Sequence, residues 1–427
     1  MKKKYLLVGA VLVLIALALA GCQSAAPAPA SATTAPAATQ APAPACPTAP
    51  ACPAAPAATA APAATGPTVP FIDDWSKSPH ADAKAAAFNH WNDTKDKSIP
   101  VDCAKCHSTP GYQDYVGADG SPAGVVDKPA AIGTVITCVA CHNSATATLT
   151  SVTFPSGAVI DNLGPEARCM VCHQGRESKV SVDKAIADNG LTTDVDKVGD
   201  KLGFLNIHYF AAASTLYGTE AKGGYQYDGK SYDAKFDHVA GANTCVGCHN
   251  PHTLEVRIDK CAGCHQGVAS KDDLKKIRMA GSAMDYNGNG DTKEGIAAEI
   301  SGLQGMLLQA IQAYAKEKAN TAIAYTPDAY PYFFVDKNGN GQADKDEAVA
   351  ANGYKAWTAR LLKAAYNYQT SVKDPGAFAH NGKYVIELLY DSIDDLNQAT
   401  TAKVDLSKAH RTDAGHFNGS AEAFRHW

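Results

Sequence analysis

The sequence predicts a mainly α-helical protein with long irregular loops, and three observations support this fold class. Residues 23–70 consist almost entirely of Ala, Pro, Thr and Ser, a composition that cannot bury enough apolar surface to fold. Five copies of a short Cys/His motif follow between residues 103 and 265, which leaves little sequence for an apolar core. After residue 270 the motifs stop, and apolar residues recur at helical spacing. We therefore expect a middle region organised by the groups that the motifs bind, followed by a helical unit.

The N-terminus resembles a bacterial lipoprotein signal. Three lysines precede an apolar run, Tyr5 to Ala20, which is too short to span a bilayer and ends in Leu-Ala-Gly-Cys. The resemblance implies that Cys22 is lipidated and becomes the first mature residue; the alternative is an ordinary signal peptide. Gln23 favours the outer membrane or the cell surface. Residues 23–70 would then be an extended tether, in which Cys46 and Cys52 have no following His and are expected to be incidental.

Ten of the 13 cysteines lie in five Cys-x-x-Cys-His motifs. Two thiols separated by two residues can add to both vinyl groups of one porphyrin edge, and the adjacent His can then bind the iron. Zinc ribbons also use Cys-x-x-Cys units, but they do not need a His directly after the second Cys. The motifs therefore predict five covalently bound haem c groups. The predicted attachment and proximal ligand residues are Cys103, Cys106 and His107; Cys138, Cys141 and His142; Cys169, Cys172 and His173; Cys245, Cys248 and His249; and Cys261, Cys264 and His265.

Each iron needs a second axial ligand or an open face, and histidine is the expected second ligand. Methionine is too scarce, because only three of the five methionines remain once Met1 and the motif residue Met170 are set aside. Nine histidines lie outside the motifs, and five of them lie among the motifs or just before them. Haems with two His ligands generally have lower potentials than haems with a Met ligand. The predicted distal ligands are His80, His90, His208, His238 and His252.

Residues 76–265 resemble the multihaem cytochromes c of anaerobic respiration. The five motifs carry the resemblance, together with the close pair of motifs at Cys245 and Cys261 and the Cys-His-Asn-Pro-His sequence that ends at His252. This resemblance implies closely packed haems, iron ligation by two histidines, and electron transfer from haem to haem. The motif is specific to haem but not to any one member of the family.

Two loops in the second half fit the pattern of a calcium-binding EF-hand loop. In the first, every ligand position is filled, with Gly341 at the turn; the candidate ligands are Asp336, Asn338, Asn340, Gln342, Asp344 and Glu347. The second offers Asp285, Asn287, Asn289 and Asp291, but its twelfth position is Ile296, so Glu294 or Glu299 would have to substitute. The alternative for both loops is a solvated turn rich in Asn, Asp and Gly.

The remaining elements are predicted helices and an internal repeat. Apolar stripes run from Ile296 to Tyr314, from Trp357 to Ala365 and from Tyr384 to Leu396. The segments 80–91 and 416–427 both end in Ala-Phe-x-His-Trp, so either the parent sequence continues with more haems, or His416 and His426 are terminal ligands offered to a neighbouring molecule. His380 and His410 have no assigned iron.

The predicted function is electron transfer by a membrane-tethered cytochrome between a membrane donor and an external or periplasmic acceptor. A net charge of −5 argues against nucleic acid as the main partner. Two alternatives stay open: a multihaem reductase or oxidase of a small nitrogen or sulfur compound with one open iron, and a subunit of a conductive homopolymer. The predicted regions are a signal (1–22), a tether (23–70), a pentahaem domain (71–270), a helical domain with calcium-type loops (271–400) and the repeat (401–427).

Overall fold

The computed structural model describes residues 69–278 and 282–412. Several predictions therefore concern residues outside the described chain: the lipoprotein signal with Cys22, the tether with Cys46 and Cys52, Met279, and the terminal repeat with His416 and His426.

The motif region contains short helices and two small antiparallel strand pairs joined by irregular segments. Its helices are α1 (Ile72–Ser76), α2 (Ala86–Asn89), α3 (Val101–His107), α4 (Thr109–Tyr115), α5 (Cys138–Cys141), α6 (Ser144–Ala147), α7 (Ala167–Met170), α8 (Lys179–Asp188), α9 (Ala212–Ala221), α10 (Cys245–Cys248), α11 (Ile258–Ala262) and α12 (Lys271–Leu274). Antiparallel pairs form between β1 (Ser98–Ile99) and β2 (Ala130–Ala131), and between β3 (Val152–Thr153) and β4 (Val159–Ile160). This agrees with the predicted mainly α-helical class with irregular loops.

The second half is built from three long helices and one hairpin. The helices are α13 (Ile296–Lys318), α14 (Ala359–Lys373) and α15 (Ala377–Ala399), and the hairpin pairs β5 (Ile323–Tyr325) with β6 (Phe333–Val335). A 3₁₀ turn, Ala350–Asn352, precedes α14. Helix α13 packs against α15, and α14 packs against both. The three predicted apolar stripes are buried in these helices, although α15 begins seven residues before the predicted stripe and bends at Asn381 (φ −166°, ψ 81°).

A continuous apolar core lies among these long helices. Trp357 lies in this core and is 1% exposed. Its ring stacks against that of Phe204, which belongs to the motif region. Val182 and Ile186 of α8 bury their side chains in the same core. Helices of 15 to 23 residues can bury a whole apolar stripe, whereas the motif helices of four to seven residues cannot. The apolar stripes of the second half therefore form a continuous core, to which the motif region contributes side chains.

Polar contacts join the second half to the motif region. Thr358 caps α14 by accepting a hydrogen bond from the Leu361 N–H (3.1 Å). The Asn367 side chain accepts from the N–H of Tyr225 (2.6 Å) and donates to its carbonyl (2.9 Å), as a paired strand would. The Asn367 contacts hold the chain around Tyr225 against α14. The boundary at residue 270 stays a prediction.

Candidate haem-binding site

All ten motif cysteines line one cavity of about 4140 Å³. That volume is several times the roughly 300–1,000 Å³ of a pocket for one small ligand, so it has room for several large groups. Each cysteine of the five motifs is a free thiol, so within the described chain none is used by a disulfide. In three motifs both cysteines lie in one helix (α3, α5 and α10), and in the other two the second cysteine lies in the turn that follows α7 or α11. Helix α10 starts after Thr244, whose hydroxyl accepts the Gly247 N–H. The turn keeps both thiols on one side, where one porphyrin edge can reach them.

Each of the five motif histidines lies opposite a second histidine ring. A metal-bound imidazole has a metal–nitrogen distance of about 2 Å and a ring centre about 1 Å further away, so two rings on opposite sides of one iron have centres about 6 Å apart. The observed distances between ring centres are 6.4 Å for His80 and His173, 5.8 Å for His208 and His107, 6.2 Å for His252 and His142, 5.9 Å for His238 and His265, and 6.5 Å for His380 and His249. All five pairs have the spacing that one iron between the rings requires, so these residues fit haem.

Four of the five predicted distal histidines lie in these pairs, and the fifth does not. His90 is exposed, and its ring meets Trp91 edge-on at 4.9 Å. The fifth pair is completed by His380, near the start of α15, where sequence analysis left it without an iron. In this structure His380, and not His90, lies opposite His249. The only indication in the sequence that a histidine other than His90 could face His249 is the number of candidates: nine histidines lie outside the motifs, and five second ligands are needed.

Hydrogen bonds at Nδ1 orient several of the paired rings. His107 Nδ1 lies 2.7 Å from the Ala87 carbonyl oxygen, and His173 and His249 make the same contact with the carbonyls of Phe210 (3.0 Å) and Leu254 (3.2 Å). Because a carbonyl oxygen only accepts, Nδ1 must carry the proton and donate it. The Nε2 lone pair is then free for a metal, and the ring is held in one orientation.

His380 differs because its Nδ1 donates to a carboxylate. Its Nδ1 lies 2.9 Å and 2.8 Å from the two oxygens of Asp374, a side chain that is 3% exposed. The Gly376 N–H also donates to Asp374. Burial disfavours the charged form of His380, but the Asp374 carboxylate outweighs burial and raises the pKa of His380. A carboxylate behind a metal-binding imidazole makes that imidazole a stronger donor.

Burial keeps most of the other paired histidines neutral, which metal binding requires. Burial and the neighbouring His173 lower the pKa of His80 to about 4. Burial, followed by the positive charge of Arg176, lowers the pKa of His208 to about 4. Burial also lowers the pKa of His238, with a smaller contribution from His265.

The motifs contact one another inside the cavity. Cys106 Sγ lies 3.9 Å from the Cys172 carbonyl, and Cys172 Sγ lies 3.6 Å from the Lys105 carbonyl, so the first and third motifs touch. A hydrogen bond between the thiols of Cys169 and Cys245 joins the third motif to the fourth. Two further pairs are close enough for their charges to interact: Cys141 with Cys169, and Cys248 with Cys261. The third motif therefore has three neighbours, and the fifth is reached through the fourth.

The two calcium-type loops fold alike, and none of their candidate ligand residues lines this cavity. In each, the first Asp accepts backbone N–H groups from the loop: Asp336 from Gly339 and Gly341, and Asp285 from Gly288 and Gly290. His410 Nδ1 donates to the Asp285 carbonyl (2.8 Å), so this histidine lies at a loop and not at a motif. In the described chain, no three His, Cys, Asp or Glu side chains converge closely enough to hold a metal ion by themselves.

Comparison with known proteins supports the assignment made from the motifs. The family model for cytochrome c7 and related cytochromes c matches residues 86–174, which contain the first three motifs. Two polyheme cytochromes of Geobacter sulfurreducens, named OmcC and OmcB, are each 29% identical to this chain and align with 78% and 76% of it, respectively. These matches support a multihaem c-type cytochrome family for this chain.

The chain spans about half the length of these relatives, since the alignments cover 48% of each of them. No solved structure matches the chain. Within residues 69–278 and 282–412, no helix combines the length and the hydropathy needed to cross a membrane.

Proposed function

We propose that this cytochrome binds five haem c groups and transfers electrons between them. The observation that carries the proposal is the set of five histidine pairs with ring centres 5.8–6.5 Å apart, each containing one motif histidine. The two cysteines of each motif would hold one haem edge by thioether bonds, and the paired histidines would supply both axial ligands. Haem supplies reversible one-electron exchange at its iron; the chain supplies attachment, ligation and spacing.

A carrier is favoured over a reductase because each motif histidine has a second histidine opposite it. A reductase of a small oxyanion needs at least one iron with an open face and a proton donor beside it. The pair at His249 and His380 bears on this choice, because His90 does not face a motif histidine and the fourth iron would otherwise be open. With His380 in place, all five irons are six-coordinate in the proposal.

The contacts between motifs support a branched order of haems. The third haem would neighbour the first, second and fourth, and the fifth haem would neighbour the fourth. His252 adds a link, because it lies three residues after the fourth motif's His249 and pairs with His142 of the second motif. Electrons entering at the first, second or fifth haem would converge on the third and fourth.

We also propose that the protein is exported and lipid-anchored, with the outer membrane or the cell surface favoured. The support is the lipoprotein-like signal ending at Cys22 and the Pro- and Ala-rich stretch after it. Its partners would be a membrane electron donor and an external or periplasmic acceptor. The conductive homopolymer rests on His416 and His426 alone, outside the described chain, and is the weaker proposal.

The experiment is to record the absorption spectrum of the reduced, haem-loaded protein before and after adding carbon monoxide, and to count haems by intact mass. We expect five covalently bound haems and sharp low-spin bands that do not respond to carbon monoxide. A response of about one fifth of the haem absorbance would favour the reductase, because one of five irons would be open. A protein without haem bands that contains zinc would refute the proposal.

A further inference from the structure

The loop formed by residues 336–347 contains a buried carboxylate oxygen without a partner. Glu347 is 2% exposed, and its Oε1 accepts the N–H groups of Lys337 (2.7 Å) and Asn338 (3.3 Å) at the start of the loop. Its Oε2 is buried and has no hydrogen-bond partner. A buried carboxylate oxygen that binds nothing is costly, since it has lost water and gained no other contact. The Glu347 side chain therefore points into the loop with one coordination position unused.

In the described chain no ion pair neutralises the carboxylates of this loop. No Lys, Arg or His of the described chain lies within ion-pair distance of Asp336, Asp344 or Glu347. The Nδ2 atoms of Asn338 and Asn340 both donate to Asp344 Oδ2 (2.8 and 2.9 Å), so these three side chains already face one another. Turning the two amides would place their oxygens where the nitrogens are now. Calcium accepts such a mixed set of carboxylate, amide and carbonyl oxygens, so it does not require three converging acids.

The loop that begins at Asp285 has the same hydrogen-bond pattern, but both oxygens of its closing glutamate have partners. Glu299 takes the place of Glu347, because its Oε2 accepts the N–H groups of Tyr286 and Asn287 (3.0 Å each). Its other oxygen, however, accepts from the Arg278 guanidinium at 2.7 Å. The arginine satisfies the position that is unused at Glu347.

We propose that residues 336–347 bind one Ca²⁺ ion and that the loop at residues 285–299 does not, because Arg278 neutralises its Glu299. The ion would be held by Asp336, Asn338, Asn340, the main-chain carbonyl of Gln342, Asp344 and both oxygens of Glu347. It would fix the connection between β6 and α14, which carries the core residue Trp357. This site is independent of the haems.

The test measures calcium bound to the full, haem-loaded protein after treatment with a chelator, by equilibrium dialysis against CaCl₂ with metal analysis. The native protein should bind one Ca²⁺. Glu347→Gln keeps the size of the side chain and should weaken binding by about tenfold or more, since loss of even an outer hydrogen-bond partner costs a metal site 10–100-fold. Asp336→Asn should do the same. Asp285→Asn makes the identical change at the equivalent position of the other loop and should leave one Ca²⁺ bound.

A structural readout separates lost binding from misfolding. CaCl₂ should raise the thermal unfolding midpoint of the native protein and of Asp285→Asn but not that of Glu347→Gln, and MgCl₂ should have a much smaller effect because Mg²⁺ demands a stricter geometry. The haem spectrum of all three variants should be unchanged. Native protein without bound Ca²⁺ would overturn the proposal, as would Ca²⁺ retained by Glu347→Gln. Two bound ions, with one lost in Asp285→Asn, would overturn the role given to Arg278.

Discussion

Replacing His380 with alanine should open one iron in five. The change removes the ring opposite His249 and leaves the ligands of the other four motifs in place. In the reduced protein, about one fifth of the haem absorbance should therefore respond to carbon monoxide, and added imidazole should reverse the response by filling the space. His90→Ala is the matched control: it removes a histidine that also lies among the haem-site residues but faces Trp91, and it should give no response.

The cost in stability can be worked out from the contacts of Asp374. Without His380 this buried carboxylate loses its ion-pair partner, a change that costs about 3–5 kcal/mol when a buried pair is broken. The Gly376 N–H and the Thr215 side chain still donate to Asp374, so we expect the lower end of that range. The double variant that adds Asp374→Asn removes the unpaired charge and should recover part of the lost stability while keeping the carbon monoxide response.

Two outcomes would contradict the pairing of His380 with His249. If His380→Ala is indifferent to carbon monoxide while His90→Ala responds, then His90 is the ligand and the pairing with His249 is wrong. If neither responds, another side chain binds the fourth iron. The far-ultraviolet circular dichroism of each variant checks that the helices remain.

Three further predictions concern tuning, pH and the core. Asp374→Asn removes the carboxylate that makes His380 a stronger donor, so a spectroelectrochemical titration should show a higher potential for one haem and unchanged potentials for the others; a lower potential would contradict the assigned role. Burial raises the pKa of Glu387 from 4.5 to about 7, so the folded state holds this proton more tightly than the unfolded state. The contribution of Glu387 is therefore fully present below about pH 4.5 and is lost as the pH rises through about 7, by as much as about 3 kcal/mol, and Glu387→Gln should flatten the stability profile in that window. Leu389→Ala in the fully buried core should lower the free energy of unfolding by about 2–5 kcal/mol, whereas Val349→Ala, at a site 45% exposed, should change it by less than about 0.5 kcal/mol; equal effects would mean that the core is not where the structure places it.

The long helices were well predicted because their signal is periodic and local. Ile296, Leu303 and Ile311 recur on one face of α13, and burying that face needs no knowledge of what lies opposite. The contribution of Phe204 and Val182 to this core was not predicted. Both residues come from the motif region, and their contacts join parts of the chain that are far apart in the sequence.

The calcium-type loops likewise combine features that a local sequence pattern predicts with a contact that only the fold creates. The spacing of Asp336, Gly341 and Glu347 is a local pattern, and it predicted the loop. For the other loop the sequence left a choice between Glu294 and Glu299. The structure places Glu299 at the closing position, with Glu294 accepting from Asn287 and Asn289 as Asp344 accepts from the amides of its own loop. Arg278 is the partner that distinguishes the two loops. It lies before Asp285 and is not part of the twelve-residue calcium-loop pattern, so the pattern could not predict its role.

Haem attachment can be predicted from the chain alone, because it needs two cysteines and a histidine within five residues, and all five motifs have that spacing. The sequence identified the family and five motif histidines without any knowledge of the fold. Four of the second histidines were also candidates in the sequence, but the motif that each one faces, and the fifth histidine, His380, depend on the tertiary structure. His249 and His380 are more than a hundred residues apart in the chain, and only the packing of α15 beside the motif region brings their rings to 6.5 Å. A covalent attachment site is a local property of the chain, whereas an opposing ligand depends on which distant element folds against it.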